Sequence, residues 1–265
     1  MDFTIIGLLG PAGSGKDLVA DWFVRKGFIK VAFADPLKRF AKIAFSLNYD
    51  QLWGPSHERN KRFPVNSSWW FNAMGNIQDA AKEVVQDILQ SADRTNGYLK
   101  LLDWFSWLRK TYPETISARE ILQTSATEWG RTIDPFIWGR YAYLITEKLK
   151  SGLFNYRQEE GLGPIDLSKF PYGEEYRPGV VIPDHRFVNE VIETKKRGYV
   201  LRLRRLAREK KTVGIPNHVS ETEQVGIPDE TFDLVLELPE GVERVHAMLE
   251  EIMKERSWSP KSPSS

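Results

Sequence analysis

FTIIGLLGPAGSGKD, residues 3–17, is the stretch that decides the fold. Its first half, residues 3–9, is a short apolar run with β-branched side chains, typical of a buried parallel strand. Residues 10–16 fit the pattern G-x-x-x-x-G-K, and residues 18–24 read as a helix. Glycines in such a turn let successive backbone N–H groups point at phosphate oxygens, and the helix N-terminus adds positive charge. This order of strand, glycine turn and helix predicts a P-loop that binds a nucleoside triphosphate.

The loop residues receive specific roles from this prediction. We expect ATP to contact a run of consecutive residues, namely Gly13, Ser14, Gly15, Lys16, Asp17 and Leu18. Lys16 can reach the β- and γ-phosphates and balance charge as the bond breaks, which makes it a catalytic candidate. Asp17, a second candidate, stands where most P-loops carry Ser or Thr. Its carboxylate could bind Mg²⁺ directly or through water, orient the phosphate acceptor, or complement the helix dipole.

The rest of the chain predicts an α/β fold, a P-loop NTPase architecture of three layers with a parallel sheet between helices. Further strands are expected at residues 28–33, 180–183, 199–204 and 232–238, and helices at 35–45, 187–196 and from 242 onward. Six of the nine tryptophans lie in residues 46–130, which we interpret as a helical insertion. Residues 151–179 predict a surface loop and 257–265 a flexible tail, so that one P-loop domain covers residues 1–256.

An aspartate and an arginine follow the strand predicted at residues 180–183. Ligands of open parallel sheets lie at the carboxyl ends of the strands, so Asp184 should approach a Mg²⁺ ion opposite the glycine turn. Arg186 suits bidentate phosphate contact and stabilisation of charge in the transition state, which makes both residues catalytic and acceptor-binding candidates. Asp184 could instead cap the next helix, and Arg186 could form a surface ion pair.

A polar stripe is predicted in the insertion. Ser117 and Glu120 form the pattern of a capping box that opens a helix. On this helix Arg119, Gln123 and Thr127 recur every four residues and share one face, where they could hold a phosphate and a base edge or sugar. A solvated helix face would look similar. Two residues that follow, Arg131 and Trp138, could add charge and a stacking surface.

A basic run ends the strand predicted at residues 199–204. Its members are Arg202, Arg204, Arg205, Arg208, Lys210 and Lys211. We interpret residues 204–222 as a lid that closes over ATP, with Arg204 and Arg205 reaching its phosphates. Binding of nucleic acid and a merely solvated segment are the alternatives.

Composition limits the class of protein. A formal net charge of +1 argues against a surface devoted to nucleic acid or to anionic membrane. The chain has no cysteine, which excludes disulfides and thiolate chemistry and fits a reducing cytoplasm. No segment approaches the ~20 apolar residues of a membrane helix, so we expect a soluble protein.

Several motifs, taken in order, resemble those of the bacteriophage deoxynucleoside monophosphate kinases. The matching pieces are GSGKD at 13–17, FADPLK at 33–38, AREILQTSATEWGR at 118–131, PFIW at 135–138, PDHRFVNE at 183–190 and HVSE at 218–221. The chain departs from the family pattern at Leu18, where threonine is common, and at Ala126, where glycine is common.

The resemblance implies a nucleoside monophosphate kinase fold, with ATP and Mg²⁺ as cofactors and Asp17 and Asp184 near the metal. It implies that the insertion binds the acceptor nucleotide through Arg119, Gln123, Thr127 and Trp138. It further implies that Glu190 stands with Asp184 and Arg186 around the reacting phosphates, and that Lys38 contacts the acceptor phosphate. A phage-encoded enzyme of this kind would work in the cytoplasm of the host.

The expected function is therefore ATP-dependent phosphorylation of deoxynucleoside monophosphates to diphosphates. A P-loop kinase for another small acceptor, such as dephospho-coenzyme A, is the nearest alternative. A nucleic-acid-stimulated NTPase is a second, although the weak net charge disfavours nucleic acid as a partner. The expected partners are small-molecule nucleotides, and the accepted bases and homodimerisation are left open.

Overall fold

The computed structural model describes residues 3–11, 13–85, 94–152, 154–164, 178–205 and 223–255. The described residues divide into two compact units. The first comprises residues up to 33 and those from 142 onward, and the second comprises residues 34–141, within which the predicted insertion lies. Throughout these described ranges, no helix combines the length and apolar character needed to cross a membrane.

Strands and helices alternate near the two ends of the described chain, and most of the elements between are helices. The strands are β1 (Thr4–Leu9), β2 (Ile29–Lys30), β3 (Arg62–Pro64), β4 (Thr115–Ser117), β5 (Phe154–Arg157), β6 (Gly161–Pro164), β7 (Gly179–His185), β8 (Tyr199–Arg205) and β9 (Leu234–Leu238). The α-helices are α1 (Lys16–Arg25), α2 (Asp35–Phe45), α3 (Tyr49–Leu52), α4 (Ser56–Asn60), α5 (Ser67–Val85), α6 (Arg94–Thr111), α7 (Ala118–Thr124), α8 (Arg131–Ile133), α9 (Ile137–Lys150), α10 (Val188–Lys195) and α11 (Val242–Glu255). A π-helix covers Ser125–Gly130, and 3₁₀ turns cover Glu223–Gly226 and Asp229–Thr231.

The first unit is built on a five-stranded sheet in the order β2-β7-β1-β8-β9. Every neighbouring pair is parallel, which confirms the predicted α/β class and parallel sheet. The strands carry continuous apolar runs because both faces of the sheet are covered. Ile6 and Leu8 of β1 share a core with α1 and α11, whereas Leu9 packs with Val191 of α10. Helices therefore cover both faces, and the carboxyl ends of all five strands lie at one edge of the sheet.

Part of the segment 151–179, predicted as a surface loop, is regular structure. β5 and β6 pair antiparallel as a hairpin, with Tyr156 buried. Gly161, at the start of the returning strand, has a φ of 82°, a conformation that glycine adopts without steric cost. The prediction of a loop was wrong for residues 154–164, because a high content of Gly and Tyr also suits a tight hairpin. Residues 165–177 lie outside the described part of the chain.

The second unit has an aromatic core. Phe40 of α2 lies 5.2 Å from Trp129, and Phe45 lies 6.2 Å from Trp104 and from Phe105 of α6. These rings are almost fully buried, and each contributes a large apolar area to the core. Three of the six tryptophans noted in residues 46–130, namely Trp70, Trp104 and Trp129, are buried in this unit.

Two of these tryptophans offer a matched test of stability. The indole N–H of Trp129 donates to the carbonyl of Gly97 over 3.1 Å, whereas that of Trp104 is buried with no hydrogen-bond partner among the described residues. Both phenylalanine variants lose the same volume, but Trp129→Phe loses a buried hydrogen bond, whereas Trp104→Phe removes a buried donor that has no partner among the described residues. We expect Trp129→Phe to be the less stable variant by about 2 kcal/mol. Urea unfolding followed by circular dichroism measures this difference, and equal midpoints for the two variants would contradict it.

Candidate functional site

The glycine turn, residues 10–16, joins β1 to α1 at the carboxyl edge of the sheet. Gly13 and Gly15 have φ angles of 80° and 94°, in the left-handed region that favours glycine. A Cβ atom at Gly15 would also lie 2.7 Å from Leu238 at the end of β9. The turn is therefore tightly wound and packed directly against the sheet. α1 begins at Lys16 with no side-chain hydrogen bond at its N-cap residue, Gly15.

The donors of this turn suit a polyphosphate. The ammonium of Lys16 donates to the carbonyl of Gly10 and, over 2.8 Å, to that of Pro11, so it lies over the turn. Ser14 is 2% exposed, and its hydroxyl has no hydrogen-bond partner in the described part of the chain. A buried hydroxyl without a partner is costly, and an anion in the turn would relieve that cost. The residues present therefore fit a phosphate group.

Asp17 lies in the first turn of α1, and its side chain is 84% exposed. The ammonium of Lys30 is 3.5 Å from its carboxylate and 3.4 Å from that of Asp21. Exposure leaves the carboxylate open to a metal ion or to the phosphate acceptor, while its position equally suits the helix dipole. Leu18, in contrast, packs its side chain against the apolar core of the sheet.

Asp184 lies where β7 bulges beside β1. Gly7 pairs with Ile182 but Leu9 pairs with His185, so β7 carries one extra residue between these pairs. Bulges of this kind re-aim side chains and are common next to functional sites. The carboxylate of Asp184 is half-buried, and one oxygen accepts the backbone N–H of Phe33 over 2.9 Å. Asp184 thus lies on the strand adjacent to the one that leads into the glycine turn.

Arg186 lies in the short connection between β7 and α10 and is half-buried. Glu190, which is 3% exposed, accepts the backbone N–H groups of Arg186 over 2.8 Å and of Phe187 over 3.1 Å. Glu190 therefore caps α10. The sequence predicted that Glu190 stands around the reacting phosphates and did not predict this cap. Its cap fixes the backbone from which the guanidinium of Arg186 extends.

Sequence reasoning missed a set of buried polar residues behind this edge. Nε2 of His185 is 2.7 Å from the hydroxyl of Thr194, which is 2.7 Å from the hydroxyl of Tyr143. Burial lowers the pKa of His185 to about 3 and raises the pKa of Tyr143, so both side chains are neutral near pH 7. A histidine placed between Asp184 and Arg186 at the end of an apolar run was the available signal.

Two of the arginines expected in the lid, Arg204 and Arg205, lie at the end of β8. Arg204 donates to Asp229 over 2.7 Å, and Arg202 donates to the same carboxylate over 2.9 Å. Arg205 is the last residue of β8, so both predicted ATP contacts belong to a strand end. The remainder of the predicted lid, 206–222, and the predicted tail lie outside the described residues.

The second unit carries the polar stripe. Ser117 and Glu120 form the predicted capping box, with the serine hydroxyl accepting from Glu120 N–H over 3.2 Å. The helix is α-helical only to Thr124 and then continues as the π-helix. The hydroxyls of Thr124 and Ser125 donate to carbonyls of the preceding turn, which competes with regular α-helical bonding. The prediction of one α-helix through Thr127 was therefore wrong.

The stripe residues are nevertheless all partly exposed. Arg119 and Gln123 lie on α7 and Thr127 on the π-helix, and each is half-buried. The opposite side of the helix, which includes Ile121 and Trp129, is buried. π-helices are rare and are frequently found at functional sites.

The other predicted acceptor contacts are distributed over the second unit. Trp138 is 4% exposed, and its indole N–H donates over 3.0 Å to the carbonyl of Ala126 in the π-helix. This tryptophan is therefore a core residue that holds the π-helix. Arg131, which opens α8, and Lys38, on α2, are half-buried, and the ammonium of Lys38 is 5.8 Å from the ring centre of Trp53.

Comparison with known proteins gives a limited match. No protein-family model matches the chain. Over 56 residues the chain is 43% identical to a protein of Acanthamoeba polyphaga mimivirus named "Putative deoxynucleotide monophosphate kinase". The match covers 21% of this chain and 29% of that viral protein, so the chain is similar to it over less than a third of either length.

Proposed function

We propose that this protein is an ATP-dependent deoxynucleoside monophosphate kinase, which forms a deoxynucleoside diphosphate and ADP. The observation that carries the proposal is the convergence of the glycine turn, Asp184 and Arg186 at one edge of the sheet. The glycine turn follows β1, Asp184 lies near the end of the adjacent strand β7, and Arg186 follows β7. The similarity to the mimivirus protein supports a nucleotide kinase.

The order of the strands supports a ligand at this edge. β1 lies between β7 and β8 in the sheet. The chain leaves β1 towards β2 on one side, and it later leaves β7 towards β8 on the other side of β1. Crevices at such switch points of parallel sheets bind ligands at the carboxyl ends of the strands. The glycine turn follows β1 directly and therefore lies at this point. We assign ATP to it, with Lys16 at the β- and γ-phosphates.

The two carboxylates assigned to the metal suit Mg²⁺. Magnesium is usually held by one or two carboxylates together with phosphates and water. Asp17 and Asp184 are the residues that would hold the ion. Bound Mg²⁺ neutralises charge on the β- and γ-phosphates.

We assign the acceptor nucleotide to the stripe on the second unit. Arg119, Gln123 and Thr127 are half-buried, so each is held by the helix while part of it remains accessible to a ligand. A guanidinium, an amide and a hydroxyl together can bind a phosphate and a base edge. Arg186 would stabilise the charge that develops on the transferring phosphate.

A panel of acceptors with labelled ATP tests the proposal. We expect Mg²⁺-dependent formation of ADP and a deoxynucleoside diphosphate with at least one of the four common deoxynucleoside monophosphates. Dephospho-coenzyme A and the ribonucleotides serve as competing acceptors in the same assay. Product from dephospho-coenzyme A alone, or hydrolysis that rises with added DNA or RNA without a phosphorylated nucleotide, would refute the proposal.

A further inference from the structure

Three buried polar side chains near the site have no part in the chemistry proposed above. Thr194 of α10 and His185 of β7 are fully buried, and Tyr143 of α9 is 9% exposed. Their hydrogen bonds form one continuous chain, with 2.7 Å from Tyr143 to Thr194 and 2.7 Å from Thr194 to His185. Beyond the histidine, Nδ1 lies 3.3 Å from the carbonyl of Ile182. Burying so many polar groups is favourable only when each has a partner, as here.

The last acceptor gives this chain of bonds a direction. A carbonyl only accepts, so Nδ1 of His185 carries the proton and donates it to Ile182. Nε2 is then an acceptor, and the hydroxyl of Thr194 donates to it. The hydroxyl of Tyr143 in turn donates to Thr194.

The chain of bonds connects the two elements that flank Arg186. β7 ends at His185 and α10 begins at Val188, so Arg186 lies in the short connection between them. The imidazole is bonded to β7 through Ile182 and to α10 through Thr194. We propose that His185, Thr194 and Tyr143 are positioning residues that fix this connection and thereby orient Arg186. This inference rests on the proposed kinase function.

Close packing restricts the orientations that the imidazole ring of His185 can adopt. A Cβ atom at Gly7 of β1 would lie 2.7 Å from Cε1 of His185, and the ring of Phe33 lies 4.7 Å away. The imidazole therefore has little room to turn, and the hydrogen bonds select its orientation within that space. Asp184 depends less on the ring, since the backbone N–H of Phe33 holds its carboxylate separately.

Matched threonine variants test the inference. Thr194→Val keeps the shape but removes both hydrogen bonds, and it should lower kcat by about 10- to 100-fold with little change in the KM for ATP. Thr194→Ser keeps the hydroxyl and should restore most of kcat, and Tyr143→Phe should fall between the two. Thr146→Val is the control, because Thr146 is 1% exposed and its hydroxyl donates over 2.7 Å to Ala142 within α9. It should leave kcat unchanged.

A double-mutant cycle distinguishes an effect of Thr194 on kcat that acts through Arg186 from a general loss of structure. If Thr194 acts through Arg186, Thr194→Val should change the residual rate of Arg186→Ala by less than about twofold. The inference would be overturned if Thr194→Val lowered kcat as strongly in Arg186→Ala as it does in the wild-type protein. It would also be overturned if Thr194→Val had the kcat of the wild type, or if Thr194→Ser lost as much kcat as Thr194→Val. Wild-type protein is assayed first: if it makes no phosphorylated nucleotide, the proposed function fails and this inference fails with it. Normal wild-type turnover with unaffected variants refutes the positioning role alone.

Discussion

Replacing Lys16 with alanine should lower kcat by about 10³-fold, the largest loss expected from any single change in the glycine turn. The ammonium of Lys16 lies over the turn, where it donates to the carbonyls of Gly10 and Pro11. With triphosphate bound, that charge offsets the negative charge that moves onto the leaving oxygen as the bond breaks. Alanine removes the charge without disturbing α1, because it is the best helix former. Initial rates at saturating ATP and acceptor measure the effect.

Lys26→Ala is the matched control for this experiment. Lys26 follows α1 at its other end and forms an exposed ion pair with Glu250. Loss of a surface pair has a small effect on stability, and kcat should stay within about twofold of wild type. Turnover of Lys16→Ala within about tenfold of wild type would show that the lysine is not the phosphate ligand we assign.

Arg186→Ala should lower kcat by a similar factor, about 10³-fold, because its guanidinium is the group that we assign to the charge developing on the transferring phosphate. If the interaction forms only in the transition state, kcat and kcat/KM fall together while the KM for the acceptor changes little. Arg186→Lys should recover only part of the loss, since an ammonium cannot make the bidentate contact.

Arg157→Ala provides the control for Arg186. Arg157 lies in the β5–β6 hairpin, 51% exposed, and its partner Glu160 is 3.5 Å away. We expect its kcat to match wild type within about twofold. A rise in KM for the acceptor without any fall in kcat in Arg186→Ala would assign the arginine to ground-state binding and would contradict the catalytic role.

The parts of the site that depend on local sequence could be predicted. The apolar run before the glycines forms β1, and the lysine of the G-x-x-x-x-G-K pattern, Lys16, lies at the start of α1. The run that ends in Asp184 formed β7, and Ser117 with Glu120 formed its capping box. Each of these features is determined by residues within a few positions of one another, so pattern and propensity suffice.

The features that depend on distant contacts could not be predicted. The bulge in β7 is defined by its pairing with β1, and the partners of His185 come from α9 and α10. The change to a π-helix at Ser125 depends in part on side-chain hydroxyls that donate to backbone carbonyls. The spacing of apolar residues along a helix gives no information about such bonds. The role of Glu190 as a cap was hidden because the same residue also fits a ligand-binding motif.

The close approach of Gly7 to the imidazole of His185 has a consequence for how this protein can change. Position 7 accepts a larger side chain only if position 185 becomes smaller, since a Cβ atom there would lie 2.7 Å from the ring. The two positions are 178 apart in number yet occupy one volume. A larger side chain at position 7 alone should therefore cost about 1–3 kcal/mol of folding free energy, and a smaller side chain at position 185 should recover part of that cost.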